Sequence, residues 1–212
     1  MPNKAVKKCV VSDKQFIEWN QFINQNAWLS NQDTITPIFK NIVAEYYTVN
    51  TADKSILSKT YIVSWSPEYK QVFKELNAAW IQTFFEKLEP EDIRQLDAAE
   101  ENIVKPGGEI LFALSDDGTV IGTTAMVLHG GGCELAKMSV REGYKGKGYS
   151  HLLMREALAW AKDHGYSTVE ILGNTKLESS INLYKKHGFK VISLGKHPLY
   201  ERTNVHMRWT CE

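Results

Sequence analysis

Short apolar runs bounded by turn residues fill the chain from Lys59 onward and predict a series of strands. They are YIVSW, EILFAL, TVIGTTAMVL, ELAKMSV, STVEIL, FKVISL and NVHMRW. Between them the apolar period lengthens to that of a helix. Val72, Phe73, Leu76, Trp80 and Phe84 give one face of a helix that Ser66-Pro67-Glu68 should start, with Ser as N-cap and Pro in the first turn. EPEDIRQLDAAEENIV reads as a second, more acidic helix, ended by Pro106-Gly107-Gly108. Leu153, Ala157, Leu158 and Ala161 form the buried stripe of a third, from about Tyr149 to His164, with Gly165 as its C-cap. Thr175-Lys176-Leu177-Glu178 has capping-box spacing and opens a fourth, which ends at His187-Gly188.

The turns then order these elements. Asp116-Asp117-Gly118 and Gly130-Gly131-Gly132 join three strands into an antiparallel meander. The strand ELAKMSV, the third helix and the strand STVEIL make a crossover, so those two strands should be parallel and right-handed. Residues 1–58 have a different texture, rich in Asn, Gln and aromatics. Ser12-Asp13 could cap a helix carrying Phe16, Trp19, Phe22 and Ile23, and Ile38 to Tyr47 could form another. TVNTADKSILSK reads as a connector. The expectation is a helical extension over 1–58 and an α/β domain over 59–212.

Composition narrows the class. A chain of 212 residues can bury a core without disulfides or metals. Twenty-five basic residues balance 25 acidic ones, so no general attraction to nucleic acid or anionic membranes is expected. Cys9, Cys133 and Cys211 lie far apart, with no CxxC, and read as reduced thiols in a cytoplasmic protein. The basic start lacks the apolar run of a signal peptide, and no stretch approaches a membrane span.

The candidate chemistry begins at Val140-Arg141-Glu142, where three glycines and two lysines crowd between Gly143 and Gly148, just before a helix. A Walker loop needs Lys then Ser/Thr after its last glycine, but Tyr149 follows Gly148. A dinucleotide fingerprint needs glycine where His151 stands. General physics still favours an anion, because the turn leaves several backbone N–H groups at a helix N-terminus. A tight strand-to-helix turn with solvated lysines is the alternative.

The stretch from Glu134 to Phe189 resembles the GNAT superfamily of acetyl-CoA-dependent N-acetyltransferases. Lys145-Gly146-Lys147-Gly148-Tyr149-Ser150 is similar to that family's Q/R-x-x-G-x-G/A loop, with Lys for Gln/Arg and Ser for Gly/Ala. Ser180-Ile181-Asn182-Leu183-Tyr184, followed by Gly188-Phe189, is similar to its A-x-x-LY-x-x-x-GF helix end. The resemblance covers about residues 59–212. It implies a mixed, mostly antiparallel sheet whose parallel central strands splay apart, and a coenzyme A pyrophosphate on the loop amides. Lys145 to Ser150 and His151 would then face phosphate. Met138, Ser139, Val140, Asn174 and Ser180 would meet the rest of acetyl-CoA, although Asn174 could equally cap the next helix.

Acetyl transfer to an amine needs a neutral nucleophile, a donor for the oxyanion and a proton for the leaving thiolate. Glu134 is the expected base, because members of the family carry a glutamate at the matching strand position. Its alternative is a surface glutamate. Glu170 is a second base candidate, and water a third. His129, His151 and His164 are further base candidates, His151 reading better as a phosphate or water contact and His164 as a helix-end residue. Tyr184, with an ordinary pKa of about 10, is the expected acid. Tyr200 and Arg202 could line the acceptor pocket, with a surface role expected for Arg202. The resemblance implies an N-acetyltransferase acting on a small-molecule or protein amine, with no metal, no nucleic acid and no membrane partner. A non-catalytic acyl-CoA-binding or regulatory protein of the same fold is the alternative. The N-terminal segment would cap the acceptor site, form a homodimer contact or belong to the core.

Overall fold

The computed structural model describes residues 4–9, 41–49, 56–196 and 200–211. One mixed sheet of nine strands forms the centre, in the order β1-β2-β3-β4-β5-β6-β7-β9-β8. The strands are β1 (Lys4–Cys9), β2 (Ile42–Val49), β3 (Ile56–Ser64), β4 (Glu109–Ser115), β5 (Val120–His129), β6 (Gly132–Val140), β7 (Thr168–Gly173), β8 (Lys190–Leu194) and β9 (Val205–Thr210). The helices are α1 (Lys70–Phe85), α2 (Pro90–Asp97), α3 (Tyr149–Asp163) and α4 (Glu178–Lys186). Neighbouring strands are antiparallel except β6 and β7.

Both faces of the sheet are covered, which explains the nearly continuous apolar strands. Along β4 the side chains alternate. Ile110, Phe112 and Leu114 meet Phe73 and Leu76 of α1 and Leu96 of α2, whereas Leu111 and Ala113 join the core under α3. Leu153, Met154, Ala157 and Ala161 supply the buried stripe of α3. Gly130 and Gly131, with φ of 53° and 89°, make the tight β5–β6 hairpin, a backbone that favours glycine.

Several expectations are corrected. Residues 42–47 form most of β2, not a helix. The run from Ile42 to Val49 is built of β-branched and aromatic residues, which prefer a pleated surface. Ala44 and Tyr46 are buried against the α3 side, and the Tyr46 hydroxyl donates to the buried Glu156 of α3. The expected connector contributes to β2 and β3, so the sheet runs across the expected boundary at residue 58. The helix expected around Phe16 to Ile23 lies outside the described residues.

The acidic segment is α2 followed by a separate wide turn over Glu100–Val104. Ser66 makes no side-chain cap and precedes a 3-10 turn at Pro67–Tyr69. The Thr175–Glu178 capping box does not form. Helix α4 starts at Glu178 without a side-chain cap, and Thr175 instead bonds Asn204 through its N–H at 2.8 Å and its hydroxyl at 3.0 Å. A capping box does form at α2, where Glu89 and Asp92 satisfy each other's N–H groups.

At Gly122 the backbone of β6 and the side chain of Leu153 on α3 press close against β5. A Cβ there would sit 2.6 Å from the Ser139 carbonyl oxygen and 3.2 Å from Leu153 Cδ1. Gly122→Ala should therefore destabilise the fold by about 1–3 kcal/mol. The expected reading is a lower urea midpoint at unchanged m-value, and an unchanged midpoint would contradict this packing.

Candidate active site

Strands β6 and β7 are registered at a single pair, Glu134 opposite Glu170. Beyond it a cleft of about 900 Å³ opens, bordered by Leu135 to Val140 on one side and Ile171 to Asn174 on the other. A bulge in β6 contributes to this shape. Thr123 pairs with Ser139 and Ala125 with Ala136, leaving Lys137 and Met138 opposite Thr124. Lys137 takes φ of 52°, a left-handed conformation that few non-glycine residues adopt. Ser139 is anchored behind the strand, its hydroxyl donating to the Leu76 carbonyl at 2.9 Å.

The loop after β6 reaches the same cleft. Gly143, Gly146 and Gly148 have φ of 83°, 75° and 91°, so the loop needs glycine for its backbone and not for space. Gly148 is the N-cap of α3 and has no capping side chain. Its carbonyl accepts the His151 N–H at 3.0 Å. The N–H groups from Gly148 to Ser150, at the start of α3, donate to no backbone carbonyl of the described residues. An open row of amides at a helix N-terminus suits a phosphate group.

Of the residues expected to hold acetyl-CoA, Met138, Ser139, Val140, Lys145, Gly146, Gly148, Tyr149, Ser150, His151, Asn174 and Ser180 border the cleft. Lys147 does not, and its ammonium lies over the Tyr144 ring, 5.3 Å from the centroid. Lys145 is exposed and pairs with Glu142 at 2.7 Å. The Asn174 side chain is engaged in the loop: Oδ1 accepts the Lys176 N–H at 2.8 Å, and Nδ2 donates to the Arg202 carbonyl.

Glu134 and Tyr184 also border the cleft. Glu134 is nearly buried, and His129 Nε2 lies 3.1 Å from its carboxylate. That contact raises the His129 pKa above its ordinary value. Burial pushes the Tyr184 phenol up to about 12, so it is protonated at neutral pH. Glu170 is corrected as a base candidate. It is bound by Arg208 at 2.6 Å and by His206, and it does not border the cleft. His164 bonds the Trp160 carbonyl at 2.8 Å, at the end of α3.

Trp80, Phe84 and Phe85 of α1, with Lys137, Tyr200 and Arg202, also border the cleft. Arg202 is not a surface residue. Its guanidinium makes a bidentate pair with the fully buried Asp92, which also accepts from Lys137 Nζ at 2.8 Å. Burial alone would raise the Asp92 pKa, but Arg202 and Lys137 together hold it below the usual range. The signals for this cluster were a charge inside the apolar strand ELAKMSV and an acidic helix start at Glu89-Pro90-Glu91-Asp92.

His187, at the end of α4, is a further neighbour. His151 Nδ1 and His187 Nε2 are 2.8 Å apart and tie α3 to α4. Both pKa values lie below the ordinary 6.5, chiefly through burial, with Arg155 adding repulsion at both, Lys186 at His151 and His151 at His187. The unfolded chain then takes up these protons first as pH falls. The contribution to stability is intact above 6.5 and is lost as pH drops through the lower folded values. His187→Asn should flatten that part of the stability–pH curve, measured by urea unfolding. A curve as steep as the parent's would rule out the pair as its source.

The profile of the Acetyltransferase (GNAT) family matches residues 64–189. Human N-acetylaspartate synthetase is 34% identical over 101 residues, which is 46% of this chain and 33% of that protein. An uncharacterised N-acetyltransferase of Schizosaccharomyces pombe is 32% identical over 87 residues, 40% of this chain and 53% of that one. The chain thus spans 33% of the human relative's length. Among solved structures, a GNAT-family acetyltransferase from Staphylococcus aureus aligns with a TM-score of 0.65 at 21% identity, covering 72% of this chain and 99% of that one. A Salmonella typhimurium protein described as an acetyltransferase with its cofactor acetyl-CoA aligns at 0.57 and 16% identity, over 72% and 94%. These likenesses establish the fold. With a family match over more than half of its length, the chain belongs to the GNAT family of acetyltransferases.

Proposed function

We propose that the chain moves an acetyl group from acetyl-CoA to a primary amine by direct attack in a ternary complex. The observation that carries this reading is the slot between β6 and β7, which runs into the open amides of the glycine loop. A chain that bound only a phosphate would have no use for a slot between unpaired strands. The Tyr144–Ser150 end fits a pyrophosphate, and the backbone of Met138 to Val140 fits the amides of an extended arm beside it.

The roles of the side chains follow from their chemistry. An alkyl ammonium must lose a proton before its nitrogen can attack. Glu134 takes that proton, directly or through a water. The nitrogen then bonds the acetyl carbon, and a β6 N–H stabilises the oxyanion. When the carbon–sulfur bond breaks, the phenol of Tyr184 gives its proton to the sulfur, and the second proton leaving the attacking nitrogen restores the phenol. The products are the acetylated amine and coenzyme A. The human relative, an N-acetylaspartate synthetase, and the Schizosaccharomyces pombe relative, an N-acetyltransferase, support transfer to an amine. The chemistry is assigned to residues 59–212, and the free, buried thiol of Cys133 suits a cytoplasmic setting.

Two substitutions test the roles. Glu134→Gln and Tyr184→Phe should each lower kcat by about a hundredfold or more, while calorimetric affinity for acetyl-CoA stays as in the parent. Acetyl-CoA and coenzyme A should bind the parent and ATP should not. Unchanged turnover in both variants would refute the assignments, and no binding of either coenzyme would refute the function.

A further inference from the structure

Lys137 is a buried ammonium at the wall of an open cleft. Its side chain is 4% exposed, and among the described residues its hydrogen bond goes to Asp92. An ammonium has three donors, and leaving donors unfilled in a buried place is costly. Asp92 cannot supply more. Its two oxygens already accept both Arg202 terminal nitrogens, Lys137 Nζ and the Glu89 N–H. Glu89 accepts the N–H groups of Glu201 at 3.1 Å and Arg202 at 3.0 Å, and lies 3.3 Å from Arg202 Nη1.

The placement of these charges relative to the cleft is uneven. Lys137 and Arg202 border it, whereas Asp92 and Glu89 stand behind them. The Tyr200 ring fixes both cations, 5.5 Å from Lys137 Nζ and 4.9 Å from Arg202 Cζ. Its phenol is held neutral, because burial and then Glu134 and Asp92 raise its pKa. On the same strand, Glu134 presents a carboxylate to the same cleft. The wall therefore offers one anion, three residues on along β6 an ammonium with unfilled donors, and beside it the Arg202 guanidinium.

We infer that the acceptor is a free amino acid, its amine met by Glu134 and its carboxylate by Lys137 and Arg202. The inference rests on the acetyl-transfer reading and names the class of amine. A polyamine would bring a second ammonium against Lys137 and Arg202, a like-charge contact. A neutral amino sugar would offer them hydroxyls, which are weaker acceptors than a carboxylate.

The test compares the common α-amino acids with their own carboxamides and with a polyamine, following release of the coenzyme A thiol from acetyl-CoA. At least one amino acid should exceed its amide in kcat/KM by about 10- to 100-fold, the worth of a charge-assisted contact. Lys137→Met, which keeps the Asp92–Arg202 pair, should narrow that gap mainly by raising KM for the acid. In thermal melting with coenzyme A present, the preferred acid should raise the midpoint where its amide does not. Amides or polyamine used as well as the acids, or melting unmoved by every acid, would overturn the inference and leave acetyl transfer standing. Acetyl-CoA bound with no acceptor turned over would instead overturn the transfer reading itself, and the inference with it.

Discussion

Strands β6 and β7 run parallel and meet in register at Glu134 and Glu170, and then separate. Unpaired backbone groups inside a protein are costly, so a sheet normally closes such a gap. Here it stays open because both strands are held from outside. Strand β6 is bonded along β5, with Ser139 tied to α1, and β7 is bonded along β9. The groups left facing the slot suit the amides of an extended ligand. The glycine loop, α3 and α4 follow directly from the diverging strand ends, so the site's geometry depends on this one separation.

The ions at Lys137 belong to the same constraint. A left-handed lysine within a bulge is a strained arrangement for a strand. Its partner Asp92 comes from the first turn of α2, and Arg202 comes from the segment before β9. The cluster thus pins three distant parts of the chain at the cleft wall. Breaking one member would leave a buried charge unpaired, which costs far more than the intact cluster gains. Such a cluster is a poor choice for stability alone, because a well-packed apolar core of similar volume would serve as well. Its position at the cleft is what makes a recognition role the better explanation.

The sequence was most legible where a local signal fixed a local structure. The Gly130–Gly131 hairpin, the α3 stripe and the glycine loop need nothing beyond their own residues, and each lies where its pattern put it. Legibility failed where tertiary contact decides. The apolar content of Ile38 to Tyr47 suggests a helix, but the β-branched and aromatic residues of 42–49 pair with β3, and the buried Tyr46 contact to Glu156 holds the strand. Glu134 and Glu170 look alike in sequence, each in a strand. They differ because Arg208 is the register partner of Glu170 and His206, two residues earlier on β9, also reaches it, a fact set by how β9 inserts beside β7.

Arg202 reads from sequence as a possible pocket residue with a surface role preferred, and contacts remote in the chain decide between the two. Strand β9 lies between β7 and β8, and Tyr200, Arg202 and Thr203, just before it, border the slot. Asn174, at the end of β7, donates to the Arg202 carbonyl, and the Asn204 N–H donates to the Gly173 carbonyl at 3.0 Å. These bonds fasten that segment to the strand end, while Glu89 receives the N–H groups of Glu201 and Arg202 from the other side. Held from both sides, the Arg202 backbone leaves its side chain lying along the cleft wall toward Asp92. Its direction is therefore set by strand order and by a capping residue more than a hundred positions earlier in the chain, which no reading of the local sequence around Arg202 could supply.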